Sequence, residues 1–185
     1  METDEVIIEQ TKAWISKVVI GCNFCPFASR VFKQASIHFE VIRSDERSNL
    51  LKSVRVELDR LDNDQAVATT LLILPGLFPD FYDYLDMIGR VEDFLHKQGK
   101  EGIYQVASFH PEYLFANAAK DDAANYTNRS VYPMIHLLRE SSITDALANF
   151  PNPEDIPQRN IDFAREKGLV YMSALRTAAI LKKDE

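Results

Sequence analysis

The chain of 185 residues is 46% apolar and 26% charged, a composition that excludes fibrous and disordered classes and is enough to bury roughly 70% of the unfolded surface around one core. Its formal charge of −7 and pI near 5.2 argue against broad adhesion to nucleic acid or anionic membrane, while leaving room for a local basic pocket. The start Met1-Glu2-Thr3-Asp4-Glu5 is acidic where a secretory signal is basic, and no apolar run approaches the ~18 residues of a membrane span. A cytoplasmic protein, one domain over residues 1–185 with no structural disulfide, is the expectation.

Between Asp4 and Ile20 the apolar residues Ile7, Ile8, Trp14, Ile15, Val18 and Val19 recur at helical spacing, and Gly21 closes that helix. Pro26 directly follows Cys25, the order of a capping residue ahead of a helix that opens with proline. A thiol at such a positive terminus is favoured as thiolate. Residues 37–42 alternate as a half-buried strand, after which Ser44 or Asp45 caps a helix with Leu50, Leu51, Val54, Leu58 and Leu61 on one face. Residues 69–74 form an apolar, β-rich run before Pro75-Gly76 and read as a central strand.

Pro79 and Asp80 open a third helix with Phe81, Tyr84, Leu85, Ile88, Val91 and Leu95 as its buried stripe, ended by Gly99. A third strand over 103–109 runs into His110-Pro111. An irregular segment over 112–132 follows, and its length together with Tyr113, Phe115, Tyr126 and Tyr132 marks it as ordered and functional. Pro133 then opens a helix carrying His136, Arg139 and Glu140 on one face. Ser142-Ile143-Thr144-Asp145 matches a capping box, and Pro151, Pro153 and Pro157 stiffen the link to a last helical region over 158–183, punctuated at Gly168. This order predicts an α/β fold: a small, largely parallel sheet of three to four strands flanked by helices. An α+β ferredoxin-like sandwich is the alternative.

Ligands of open α/β sheets gather at the carboxyl ends of strands, where His110 falls. His110 and His136 are candidate general bases because imidazole titrates near neutral pH, and each also reads as a hydrogen-bonded structural histidine. Arg129, between Asn128 and Ser130, offers a fork that grips carboxylate or phosphate, with Arg139 and Arg159 in support and Asn125, Tyr126, Asn128 and Ser130 as further ligand groups. Cys25 is the candidate nucleophile. Cys22-x-x-Cys25 has redox spacing but follows a helix rather than a strand, so Cys22 reads as a packing residue. The cysteines with His110 and His136 lack the spacing of a zinc finger, and no phosphate loop, dinucleotide fingerprint, hydrolase elbow or zincin motif occurs. No metal and no cofactor are expected.

Cys25-Pro26-Phe27-Ala28, Thr69-Thr70-Leu71-Leu72, the run from Gln105 to Pro111, the run from Asn125 to Ser130, Tyr132-Pro133, the run from His136 to Glu140, and Ile156-Pro157-x-Arg159-Asn160 together resemble a bacterial family described as a domain of unknown function. The resemblance covers nearly the whole chain and implies a bacterial cytoplasmic protein, with no activity or cofactor to carry over. Cys22 stands where the family pattern has an apolar residue, which weakens a redox pair, and Val131 where it tends to have proline.

The function expected from these residues is an enzyme acting on a small anionic metabolite, with Arg129 and Arg139 gripping the anion, His110 as acid or base, and Cys25 as nucleophile. A non-catalytic ligand- or protein-binding domain is the alternative. Neither nucleic acid nor membrane is an expected partner, and the oligomeric state stays open. One site requires the long loop to fold back across the sheet edge and to point Arg129 into a pocket within reach of His110.

Overall fold

The computed structural model describes residues 2–43, 49–148 and 150–180. The expected cap at Ser44 or Asp45, and the expected helical residues beyond Ile180, lie outside them. In chain order the elements are α1 (Asp4–Trp14), continued by a π-helical stretch (Ile15–Ile20), then α2 (Ala28–Lys33), β1 (Ile37–Val41), α3 (Leu50–Asn63), β2 (Thr69–Ile73), α4 (Phe81–Lys97), β3 (Tyr104–Phe109), β4 (Met134–Arg139), α5 (Glu140–Leu147) and α6 (Ile156–Ile180). Short 3-10 turns occupy Ala123–Thr127 and Pro153–Asp155. No helix among the described residues is long and apolar enough to cross a membrane.

The fold is a mixed α/β arrangement around one four-stranded sheet of order β1-β2-β4-β3, as the strand and helix alternation predicts. The pairing differs from a largely parallel sheet. β1 and β2 pair in parallel with Ile37 opposite Thr69, but β4 pairs antiparallel with β2 and with β3. The three expected strands do run in one direction. The fourth, expected as a helix from Pro133, enters between two of them in the opposite sense and removes the second parallel ladder. Met-Ile-His-Leu-Leu-Arg suits a helix by propensity, yet pairing on both edges overrides so weak a preference.

Alternation along the strands sorts the two faces. Thr70 and Leu72 of β2, Ile135 and Leu137 of β4 and Tyr104 of β3 face α3 and α4, where Val54, Leu61, Tyr84 and Val91 close a core. Leu71, Ile73 and Met134 face α1 and α6, packing against Ile7, Trp14, Val18 and Met172. His136 and Arg139, expected on one helical face, therefore lie on opposite faces of the sheet.

Local chemistry sets the element ends. Asp80 caps α4 by accepting from the Tyr82 and Asp83 amides at 2.8 and 3.1 Å. On α4 it is Met87, not Leu85, that is buried; Leu85 is exposed. α2 starts at Ala28 with Phe27 in the capping position, so Cys25 and Pro26 form a turn ahead of the helix, closed by the Ala28 amide on the Cys25 carbonyl at 3.2 Å. α5 starts at Glu140, ahead of the expected cap Ser142. Gly168 interrupts α6 with a φ of 80°, a left-handed conformation that a side chain resists.

Tyr84 ties α4 to the β3–β4 junction. Its buried hydroxyl donates to the Met134 carbonyl at 2.6 Å and accepts from the Phe109 amide at 3.0 Å, joining α4 to β4 and β3. Tyr84→Phe removes both bonds and should cost about 1–3 kcal/mol in urea denaturation. A loss of no more than about 0.3 kcal/mol would assign the strand junction to packing alone.

Candidate functional site

The polar residues of the long loop are mostly engaged in holding the loop. Asn125 is fully buried, donating to the Ala119 carbonyl at 2.9 Å and accepting from the Phe115 amide at 3.0 Å. Arg129 is buried, lies over the Tyr126 ring at 4.9 Å, and donates to the Tyr113 and Lys120 carbonyls at 3.0 and 2.9 Å. The Trp14 indole N–H donates to the Arg129 carbonyl at 3.1 Å. Ser130 donates to the Tyr132 carbonyl and its own carbonyl accepts from Arg176. A buried loop needs partners for its backbone, and these side chains supply them.

His110 is likewise committed. Its Nε2–H donates to the Phe78 carbonyl at 2.9 Å, its Nδ1 accepts from the Glu112 amide at 3.0 Å, and the ring packs against Phe81 and Tyr84. Burial pushes its pKa down. Arg139 sits elsewhere, donating to Tyr104 Oη and to the Asp64 and Val67 carbonyls. Neither Arg129 nor His110 lines the cavities described below, and the polar groups of both are spent on backbone carbonyls and amides.

Cys25 and His136 are brought together. Both line a cavity of about 130 Å³ between the sheet and the helices, whose remaining walls include Trp14, Ile15, Val31, Leu71 and Ala107. Its polar residues are Cys25, Thr69 and His136, and none of its walls is charged. A second cavity of about 290 Å³ shares Val19, Cys25 and Phe109 with the first, so these three form the partition. Thr127, Asn128 and Asn160 are the polar members of its other walls, and it too is without a charged wall residue. The π-helical stretch contributes Val19 to this partition and Ile15 to the inner cavity's own wall. A larger cleft of about 380 Å³ lies at α2 and α5, but its polar walls are the exposed Arg30, Gln34, Gln65 and Asp145 with the half-buried Ser36 and Ser142, and no expected site residue borders it.

The hydrogen bonds around His136 fix its tautomer. Thr69 Oγ1 donates to the Leu137 carbonyl at 2.6 Å and so accepts from His136 Nε2–H, also at 2.6 Å. This leaves Nδ1 as a bare acceptor, with no hydrogen bond reaching it among the described residues. The ring is half-buried and borders the cavity, and burial pushes the imidazole pKa down to about 3. Burial also raises the Cys25 thiol, with the Ala28 and Phe27 amides opposing it in part. The thiolate expected from a helix terminus is therefore not favoured, because desolvation outweighs the two amides. Cys22 and Cys25 are both free thiols.

Arg159 and Asn160 of α6 reach the turn before Cys25, donating to the Asn23 carbonyl at 2.6 Å and the Phe24 carbonyl at 2.7 Å. They position the cysteine segment rather than contacting the inner cavity. Sequence reasoning missed Thr69, which sets the His136 proton, and Ala107, whose small side chain leaves space opposite His136 in the β3–β4 register. The only advance signal for Thr69 is a hydroxyl at the start of an otherwise apolar strand.

The family profile described as "Protein of unknown function (DUF1415)" matches residues 6–174, and the chain belongs to that family. Comparison with curated proteins and with solved structures yields no match.

The depressed His136 pKa has a consequence for stability. Unfolding exposes the ring, which then takes up a proton below its ordinary value of 6.5, whereas the folded ring stays neutral down to about 3. The unfolded state binds more protons in that window, so stability falls as pH drops through it, by up to about 1.4 kcal/mol per pH unit. Urea midpoints between about pH 7 and 4 should therefore fall less steeply in His136→Gln than in the wild type. Parallel slopes would mean that the folded ring already carries the proton.

Proposed function

We propose that the protein binds a small, uncharged, largely apolar molecule, with the apolar part in the inner cavity and one hydroxyl or N–H donating to His136 Nδ1. The observation that carries this reading is an apolar, charge-free cavity whose bare acceptor is a neutral imidazole. Apolar cavities of roughly 150 Å³ accept a benzene-sized molecule, so the inner volume suits a single ring or a branched alkyl group. Asn128 and Asn160 in the outer cavity suit a polar, uncharged remainder.

An anion entering either cavity meets no cation and loses its water, which is costly. The reading as a ligand-binding protein is therefore better supported than an enzyme for an anionic metabolite. Two free cysteines fit a cytoplasmic setting, and the family resemblance supports a bacterial one.

A second reading is favoured by one observation. The Phe27 and Ala28 amides oppose the burial of the Cys25 sulfur, and amides so placed can stabilise a negative charge that develops during nucleophilic attack. In that case bound ligand ends up covalently attached to Cys25.

Thermal shift and calorimetry with phenol, indole and benzoate test the first reading. Phenol and indole should raise the melting temperature while benzoate does not, and Ala107→Leu, which fills the cavity, should abolish the shift. No response to phenol or indole, or an equal response in Ala107→Leu, would remove the cavity from consideration. Mass spectrometry after exposure to benzylideneacetone, whose β-carbon forms a thioether with a thiol while the thiol proton passes to the α-carbon, separates the readings: an adduct on Cys25 and not on Cys22 supports the second.

A further inference from the structure

β1 alternates His38 and Glu40 onto the face of the sheet away from the cavity, and α3 brings Glu57 up to them. Glu57 is not part of a solvated acidic patch. It sits on the buried stripe of α3 beside Val54, Leu58 and Leu61, with its side chain only 2% exposed, at a position where leucine would carry no desolvation cost. A buried carboxylate requires a strong partner.

The donor geometry is that of ligands around one ion. His38 Nε2 lies 3.3 Å from Glu40 Oε2 and 3.6 Å from Glu57 Oε2, and one donor atom from each residue falls within 4.8 Å of the others. Ligands bound at about 2.0–2.2 Å to a common ion in tetrahedral or octahedral arrangement stand about 3.0–3.6 Å apart. We propose that His38, Glu40 and Glu57 bind one divalent transition-metal ion, separately from the cavity ligand and on the opposite face of the sheet.

The surroundings support that assignment. Thr70 donates to Glu57 at 3.3 Å, and Arg60 donates to both its carboxylate oxygens at 3.0 and 3.3 Å, the kind of outer contact that orients a ligating carboxylate. With a neutral imidazole, two carboxylates against one guanidinium leave the cluster one negative charge, which a dication reverses. A mixed imidazole and carboxylate set favours zinc, iron or manganese over magnesium and calcium, which prefer oxygen alone. Three protein donors leave coordination positions for water or a substrate. They open outward, since His38 and Glu40 are 26% and 41% exposed on an edge strand.

Chelator-treated, dialysed full-length protein titrated with cobalt(II) and with zinc tests this, followed by calorimetry and, for cobalt, by visible absorption. One equivalent should bind, magnesium should not compete, and His38→Ala and Glu40→Gln should each weaken binding at least about tenfold. Both residues are partly exposed, so the variants should keep the wild-type fold by circular dichroism, whereas Glu57→Gln risks misfolding. His96→Ala, at an exposed histidine beside Glu101, should leave the titration unchanged. Absence of binding, binding that survives in His38→Ala and Glu40→Gln, or binding lost in His96→Ala would overturn the site and leave His38 as an ion-pair partner of the two glutamates.

Discussion

The insertion of β4 between β2 and β3 is the constraint on which the rest depends. β4 is hydrogen-bonded on both edges, and although a short hairpin would reach it from its antiparallel neighbour β3, the chain travels out through residues 110–133 before it returns into the middle of the sheet. Residues 123–131 of that connection do not remain a surface loop. They are packed against α1 and α6, with Ala124, Asn125, Tyr126 and Ser130 buried, and each buried amide and carbonyl then needs a partner. Asn125, Arg129, His110 and the Trp14 indole serve that need. The same insertion carries His136 to the centre of one sheet face.

β2 organises both candidate sites through two adjacent threonines. Thr69 points to the cavity face and accepts the His136 proton, while Thr70 points to the other face and donates to Glu57. A strand alternates its side chains, so one dipeptide orients an imidazole on one side and a carboxylate on the other. The two sites differ in electrostatics. The cavity has no charged wall and keeps both its titratable groups neutral, whereas the other face gathers two carboxylates, an imidazole and a guanidinium at the sheet edge.

Much of the fold was legible where hydrophobic periodicity was strong. α1, α3 and α4 and the first three strands fall where their apolar patterns put them, because each buries one stripe or one face. β4 was not legible: its Leu, Met and Arg favour helix, and its strand state depends on two neighbours distant in sequence. The site was legible only in part. A dense polar loop is the pattern of a binding site, but it is also the pattern of a buried loop satisfying its own backbone, and Arg129 and Asn125 belong to the second. Cys25 and His136 were singled out and do meet in one cavity, although on grounds that differ from the geometry, since neither the helix cap nor the helical His136 exists. Glu57 carried a readable signal, a carboxylate on an apolar helical stripe, that gains meaning only when His38 and Glu40 are seen to share its side of the sheet.

The central claim is that His136 presents a bare, uncharged nitrogen to an apolar cavity. The nitrogen-15 shifts of the His136 imidazole, measured near pH 5 where an ordinary histidine is mostly protonated, address it directly. The structure predicts one protonated nitrogen, assigned to Nε2, one unprotonated Nδ1, and a change at Nδ1 when phenol is added. An imidazolium spectrum at that pH, or a proton on Nδ1, would contradict it.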